Sequence, residues 1–451
     1  MSSNRCARLL LALAVAGLLP ACGNVNDGHP PVPFTVRASV STSGVQANAN
    51  CEGAVLSGNG RFLVFTTVAT NLVQPGPADF KQVYRRDLVT GVTEEVSVTT
   101  TLVPGNDESS RPSISFDGRF VAFQSFATNL LGTPQLVPQV YVRDMDSPAA
   151  VATKLVSQDT GGTPGDDASS GPSISADGRF IAFESLATNF GDNHVSGVFK
   201  IYRKDMITGE VTPISVTPSG DDPAAGTDLG SVTPSISADG LVIAYSSDCI
   251  DVLPGDADDK YDVFVATVGV AGAITTVLAS RNTSGGFPDF GSFNPSVSGD
   301  GRFVAFDSAA TDLIPLDAND VFLDVYVFSV DGGTVTLVSK NSEGIQAQGL
   351  ADSSHPSISS DGRFIAFDSV ASNLVPGDTN LSSDIFIHDT VTGVTQRVSL
   401  DTSGNQAGIS QNSTIPTISA NGNAVAFTSG APFVKDDTNG LLDVYARFPL
   451  R

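Results

Sequence analysis

Four stretches of the 451-residue chain set hard oxygen donors at alternate positions. They are Asp256-x-Asp258-x-x-x-Asp262, Asp378-x-Asn380-x-x-x-Asp384, Asp437-x-Asn439-x-x-x-Asp443 and, one residue longer, Asp317-x-Asn319 with Asp324. Carboxylate and amide oxygens in this pattern suit Ca²⁺. The full EF-hand loop is not there, because Tyr261, Ser383 and Leu442 stand where its sharp turn needs glycine. The same residues fit a second reading: an Asx-turn closes each loop, and the last Asp bonds the start of the next strand. Either no cofactor is held, or Ca²⁺ is held here.

Other chemistry is thin. The histidines are His29, His194, His355 and His388, and no Gly-x-Ser-x-Gly occurs. The cysteines Cys6, Cys22, Cys51 and Cys249 have no zinc spacing. The many aspartates leave room for a carboxylate pair, but no spacing selects one. No catalytic residue is assigned.

The elements that must position these groups recur. Pro356 to Ser369 reads as two short strands around Asp361-Gly362, a strong hairpin signal that calls for positive φ at both turn residues. The turn glycines are Gly60, Gly118, Gly178, Gly240, Gly301, Gly362 and Gly422, spaced 58, 60, 62, 61, 61 and 60 residues apart. A repeat at this period decides the fold. Each unit holds strand A (Pro356 to Ser359 in the sixth), strand B (Arg363 to Ser369), strand C (Asp384 to Asp389) and strand D (Val394 to Leu400). Strand B is apolar on both faces, as in sheets stacked face to face. Four antiparallel strands with a doubly buried middle make a propeller blade. The rival, a parallel β-helix, has shorter coils and no such hairpins. The last unit stops after strand C, and Thr35 to Gly44 matches the strand D of unit six. The fold expected is all-β: a seven-bladed β-propeller of four-stranded antiparallel blades, with an N-terminal strand completing the last blade and removing an exposed edge.

Strand direction then sorts the loops. The D-to-A and B-to-C loops share one face, which carries Asp107, Glu108, Asp166, Asp167, Asp221, Asp222, Asp228, Asp256, Asp258, Asp259, Asp317, Asp320, Asp378, Asp436 and Asp437. The short turns on the other face carry Arg61, Arg119, Arg179, Arg302 and Arg363. Long exposed loops are polar in any case. The residue before the strand A proline lines the channel mouth in each blade: Gly53, Arg111, Gly171, Thr233, Asn294, His355 and Ile415. These differ while their surroundings repeat, through function or through relaxed constraint. Arg111, Thr233, Asn294 and His355 are the candidate binding residues. His388 is read as structural. Cys51 and Cys249 fall in units one and four, too far apart round a ring to pair.

The motif Pro-Ser-Ile-Ser-x-Asp-Gly-Arg-Phe-x-Ala-Phe resembles the WD40-like repeat of TolB-type propellers over roughly Thr35 to Arg451. The resemblance implies the fold and says little of activity. The TolB α/β domain has no counterpart here. The usual Trp is replaced by Ile, so the TolB docking role does not carry over. Similar propellers gate serine peptidases or form oligogalacturonate lyases, whose several metal-site histidines are missing here.

The N-terminus has its own logic. Arg5 and Arg8 precede the apolar run Leu9 to Leu19, a signal peptide by length. Leu19-Pro20-Ala21-Cys22 resembles a bacterial lipobox. That implies residues 1–21 as signal, 22–33 as a flexible tether lipidated at Cys22, and 34–451 as the propeller. Gly23 after the lipidated Cys implies the outer membrane. Ordinary signal cleavage, giving a soluble exported protein, is the alternative. Loss of Arg5 and Arg8 takes the net charge from −24 to −26, which excludes nucleic acid and anionic lipid surfaces as partners. The expectation is a monomeric scaffold that binds an envelope protein or glycan through its acidic face, and touches the membrane through its anchor only. The alternative is a polysaccharide-active lyase or hydrolase with a carboxylate or metal site at the mouth.

Overall fold

A strand that is apolar on both faces must be covered twice, and stacked sheets do this. In blade 6 the strands run Ser353–Ile358, Phe364–Ser369, Asp384–Asp389 and Thr395–Arg397, in hydrogen-bonded order from A to D. Every residue of strand B is buried. The computed structural model describes residues 33–74, 76, 80–191, 197–223, 229–256, 259–319, 321–349 and 351–448, and it repeats this four-stranded sheet seven times. The protein is a seven-bladed β-propeller. Helix among the described residues is confined to Ala149–Ala152 and a 3-10 turn at Val270–Gly272. No described helix is long and apolar enough to cross a membrane.

An aromatic of strand B stacks on its strand C partner in every blade. The pairs are Phe65–Tyr84, Phe123–Tyr141, Phe183–Tyr202, Tyr245–Phe264, Phe306–Tyr326, Phe367–Phe386 and Phe427–Tyr445, with ring centroids 5.8 or 5.9 Å apart. Offset pairs of this kind add stability beyond the area they bury.

Each motif residue has a task. The first serine joins blades: Oγ of Ser113, Ser173, Ser235, Ser296 and Ser357 accepts from the backbone of Ile174, Ile236, Val297, Ile358 and Ile418 at 3.0–3.3 Å. Thr417 does the same for Leu56. The second serine braces the turn. Ser359 Oγ donates to Asp361 at 2.7 Å and accepts from Phe364 N–H at 2.9 Å.

The turn itself corrects the two-residue reading. Ser359 N–H bonds the Phe364 carbonyl, and Gly362 N–H returns to the Ser359 carbonyl. Gly362 (φ 73°) is left-handed and Asp361 is not. A longer loop with a type I core needs one left-handed residue, not two. Gly362 is also pressed from outside: a Cβ there would lie 2.1 Å from Cδ2 of Phe303, the motif phenylalanine of blade 5. Arg363 bonds the Asp389 carboxylate at 2.9 and 2.7 Å and lies 4.8 Å over the Phe364 ring. Arg61–Asp87, Arg119–Asp144, Arg179–Asp205 and Arg302–Asp331 repeat the pairing. The arginines of the turn face are therefore neutralised within their own blades.

Two devices close the ring. Phe34–Arg37 pairs antiparallel with Asp443–Phe448, with Phe34 opposite Phe448 and Arg37 opposite Tyr445. At the turn end of the channel, backbone bonds pass from blade to blade: Phe116 to Ala176, Ala176 to Ala238, Ala238 to Gly299, Asp300 to Ser360, Ser360 to Ala420, Ala420 to Gly58 and Asn59 to Phe116. This circuit surrounds an open depression whose lining includes Ile114, Ile174, Ile236, Ile358 and Ile418. Cys51 and Cys249 are buried and form no disulfide.

Candidate functional site

The opposite end of the channel is built differently. The residue before the strand A proline, or before Ala54 in blade 1, is left-handed in all seven blades: Gly53 (φ 66°), Arg111 (48°), Gly171 (56°), Thr233 (52°), Asn294 (50°), His355 (52°) and Ile415 (53°). The A–B register shifts around each of them, so each sits in a β-bulge. For a non-glycine residue this backbone costs about 1–2 kcal/mol. The bulge frees an N–H from the ladder, and the preceding blade supplies an acceptor. Thr233 N–H bonds Glu184 at 2.9 Å, His355 N–H bonds Asp307 at 2.9 Å, and Ile415 N–H bonds Asp368 at 3.3 Å. Gly171 N–H bonds Gln124 at 3.4 Å.

These acceptors are the residues that the sequence reading missed. Gln124, Glu184, Asp307 and Asp368 occupy one column of strand B, which the other blades fill with Thr66, Ser246 and Thr428. The signal was available as a polar or charged residue at one fixed position of an otherwise apolar strand. Glu184 ties three blades together. It accepts from Ser170 Oγ at 2.6 Å in its own blade, from Arg111 Nη1 at 2.9 Å in the blade before, and from Thr233 in the blade after. Asp307 accepts from Asn294 Nδ2 at 3.0 Å as well as from His355 N–H. Asp368 bonds Ser354 Oγ at 3.2 Å and His355 Nδ1 at 2.9 Å.

The four sequence candidates thus share one ring, and its electrostatics are layered. Side chains of Glu184 and Asp368 are 5% and 8% exposed, whereas those of Arg111 and His355 are 57% and 42% exposed. Burial pushes the Asp307 carboxyl above the ordinary carboxylate range, against the bonds from Asn294 and His355. The bond to Asp368 raises the His355 imidazole above its ordinary value, against the effect of burial. In these two pairs the more exposed partner is the nitrogen side chain, Arg111 or His355. The ring can hold an anionic or oxygen-rich group, and His355 can carry a proton.

The acidic loops form a separate layer. In blade 5, Gln346 Nε2 lies 2.8 Å from Asp317, 2.6 Å from Asn319 and 2.7 Å from Asp324. In blade 6, Arg397 Nη1 lies 3.2 Å from both Asp378 and Asp384. In blade 7, Arg37 Nη1 lies 3.4 Å from Asp437 and 3.9 Å from Asp443. The donor oxygens do converge, and a protein nitrogen stands where they meet. Asn380 and Asn439 accept from the backbone of Ser382 and Leu441 as Asx-turns do. Burial raises Asp324 and Asp443 to about 6. In blade 4, Asp262 is buried and accepts from Ser280 Oγ at 2.8 Å, Asp256 lies in the preceding loop, and Asp258 lies outside the described residues. Among the described residues no three His, Cys, Asp or Glu side chains are grouped for a metal. His388 is structural: it is buried, bonds Thr395 Oγ1 at 2.8 Å, and is lowered to about 4 by burial. Cys22, the signal segment and the tether to residue 32 lie outside the described residues.

Structures similar to this chain include TolB proteins. The TolB of Acinetobacter baumannii matches at TM-score 0.39 and 16% identity over 77% of this chain, which spans 63% of the length of that one. The β-propeller domain of the Trilobed protease from Pyrococcus furiosus, described as an open velcro topology, matches at TM-score 0.50 and 12% identity, covering 84% of this chain and 89% of that one. An oligogalacturonate lyase in complex with manganese matches at TM-score 0.50 and 13% identity, covering 93% and 97%. At these identities the likeness is one of fold. No protein-family model and no curated protein matches the chain in sequence.

Proposed function

We propose that the chain is an exported, lipid-anchored propeller of the bacterial cell envelope, on the outer membrane, and that it works as a binding module whose partner docks at the long-loop mouth of the channel. One observation carries this reading. Seven equivalent bulges keep the same left-handed backbone, strained at the five non-glycine positions, yet only blades 2 and 6 place a charged or ionisable side chain there, each held by a buried acid. Strain maintained at a site whose side chains differ points to use rather than to packing. Photo-crosslinkers at positions 111 and 355, compared with position 391 on the turn face, test it in intact envelopes. Discrete adducts from 111 and 355 alone are expected. Equal yields at 391, or adducts there only, would overturn it.

A second reading rests on the proton-transfer set of His355, Asp368 and Asp307: an enzyme acting on acidic polysaccharide. Incubation with polyuronides and cell-wall glycans, followed by product detection, separates it from the first. Turnover that Asp307→Asn and His355→Ala abolish would establish catalysis. The binding reading expects no product.

A further inference from the structure

Building on the mouth reading, we propose that the partner is a cationic peptide chain that enters the mouth by its C-terminal carboxylate. Two observations at different levels of strand A lead here. At the bulge level the exposed charged or ionisable side chains are nitrogen donors, the Arg111 guanidinium and the His355 imidazole, beside the exposed Thr233 and the half-buried Asn294. Their acids, Glu184, Asp307 and Asp368, are buried and occupied by neighbouring N–H and O–H groups. Arg111 and His355 belong to blades 2 and 6, on opposite sides of a seven-membered ring. At the loop level, just before strand A, the rim is acidic. Asp107 and Glu108 lead directly into the strand Ser109–Ile114, Asp167 precedes Ser169–Ile174, and the exposed Asp289 and Asp352 precede Ser292–Val297 and Ser353–Ile358.

A polyanion is repelled by that rim, and a plain cation gains nothing from Arg111. A chain that is negative at its tip and positive behind it satisfies both layers. The terminal carboxylate is the planar acceptor that a guanidinium fork recognises, and capture of a chain terminus is a known mode of peptide recognition. Imidazolium at His355 adds a second charged donor. His355 meets Asp368 of its own blade and Asp307 of blade 5; Ser354 and the Ile415 backbone bond Asp368, and Asn294 bonds Asp307.

The test uses the mature chain and a ten-residue Lys/Arg/Ala/Ser peptide library in two forms, one with a free C-terminal carboxylate and one amidated. Amidation is expected to weaken binding at least tenfold. Arg111→Gln is expected to weaken the free-acid library about as much and to leave the amidated one unchanged, with an unaltered melting temperature confirming the fold. Free-acid affinity is expected to fall as pH rises through the His355 titration, and His355→Ala is expected to remove that slope. Equal binding of the two forms, no binding of either, or equal binding of a glutamate-rich free acid would overturn the proposal. Peptide crosslinks at 111 and 355 that ignore amidation would overturn the carboxylate assignment and leave the mouth reading standing. Crosslinks confined to 391 would overturn both.

Discussion

At the scale of single residues, the repeat motif separates into strain and packing. Gly362 and Gly393 have nearly equal φ, 73° and 74°, but a Cβ at Gly393 meets nothing within 4 Å while one at Gly362 meets Phe303. Gly393→Ala is therefore expected to cost about 1–2 kcal/mol of backbone strain. Gly362→Ala adds overpacking, typically about 1–3 kcal/mol more. Denaturant melts of the two variants measure the difference, and equal losses would contradict it. Phe367, wholly buried and stacked on Phe386, is expected to cost about 3–5 kcal/mol as Phe367→Ala. A loss under about 1 kcal/mol would mean that the blade interface re-forms around the gap.

At the scale of the turn and the loop, charge is handled locally. The Arg119 bond holds Asp144 at about 2, below the ordinary carboxylate value near 4. A depressed folded value adds stability above the unfolded pKa, and that stability disappears as pH falls through the folded one. Arg119→Gln should thus lower the melting temperature near neutral pH and flatten its fall between about pH 4 and 2. A parallel pair of pH curves would show that Asp144 does not depend on Arg119. In the acidic loops, Gln346, Arg397 and Arg37 already stand among the oxygens. Ca²⁺ should add nothing to wild-type melting at matched ionic strength in Na⁺. A calcium-specific rise that Asp378→Asn and Asp437→Asn abolish would identify true ligand cages, stabilised by mass action.

These elements also show what the sequence could tell. Blade number and strands B and C were legible, because burial on both faces and a fixed period leave a pattern in one dimension. The φ of Asp361 was not, since loop length decides it, and loop length depends on pairing between strands. Arg111 and His355 were found as departures from the repeat. Glu184, Asp307 and Asp368 were overlooked, because their partners lie 47 to 73 residues away in other blades. A polar residue in strand B acquires meaning only once neighbouring blades are set side by side. The protein nitrogens inside the Asp loops were hidden for the same reason: Gln346 and Asn319 are 27 residues apart.

At the scale of the whole molecule, stability rests on closure. Deleting Phe34 to Gly44 removes the partner of Asp443–Phe448 and exposes a strand edge. The truncated chain should melt at lower temperature and associate with other copies. A monomer with an unchanged melting point would show that the backbone circuit at the turn end suffices alone.

The strand that closes blade 7 has a consequence for the order of events in the making of the protein. Thr35 bonds Arg447, 412 residues further along the chain. On a ribosome, Phe34–Arg37 must wait for Asp443–Phe448. Six blades can form as they appear, from contacts local to each repeat. The seventh can only be made from both ends together, against the slow search that distant pairing demands. Until then the nascent chain carries an unlatched edge. Emergence of Asp443–Phe448 therefore acts as the clock for maturation, and any factor that guards that edge has its task ended by the arrival of this strand.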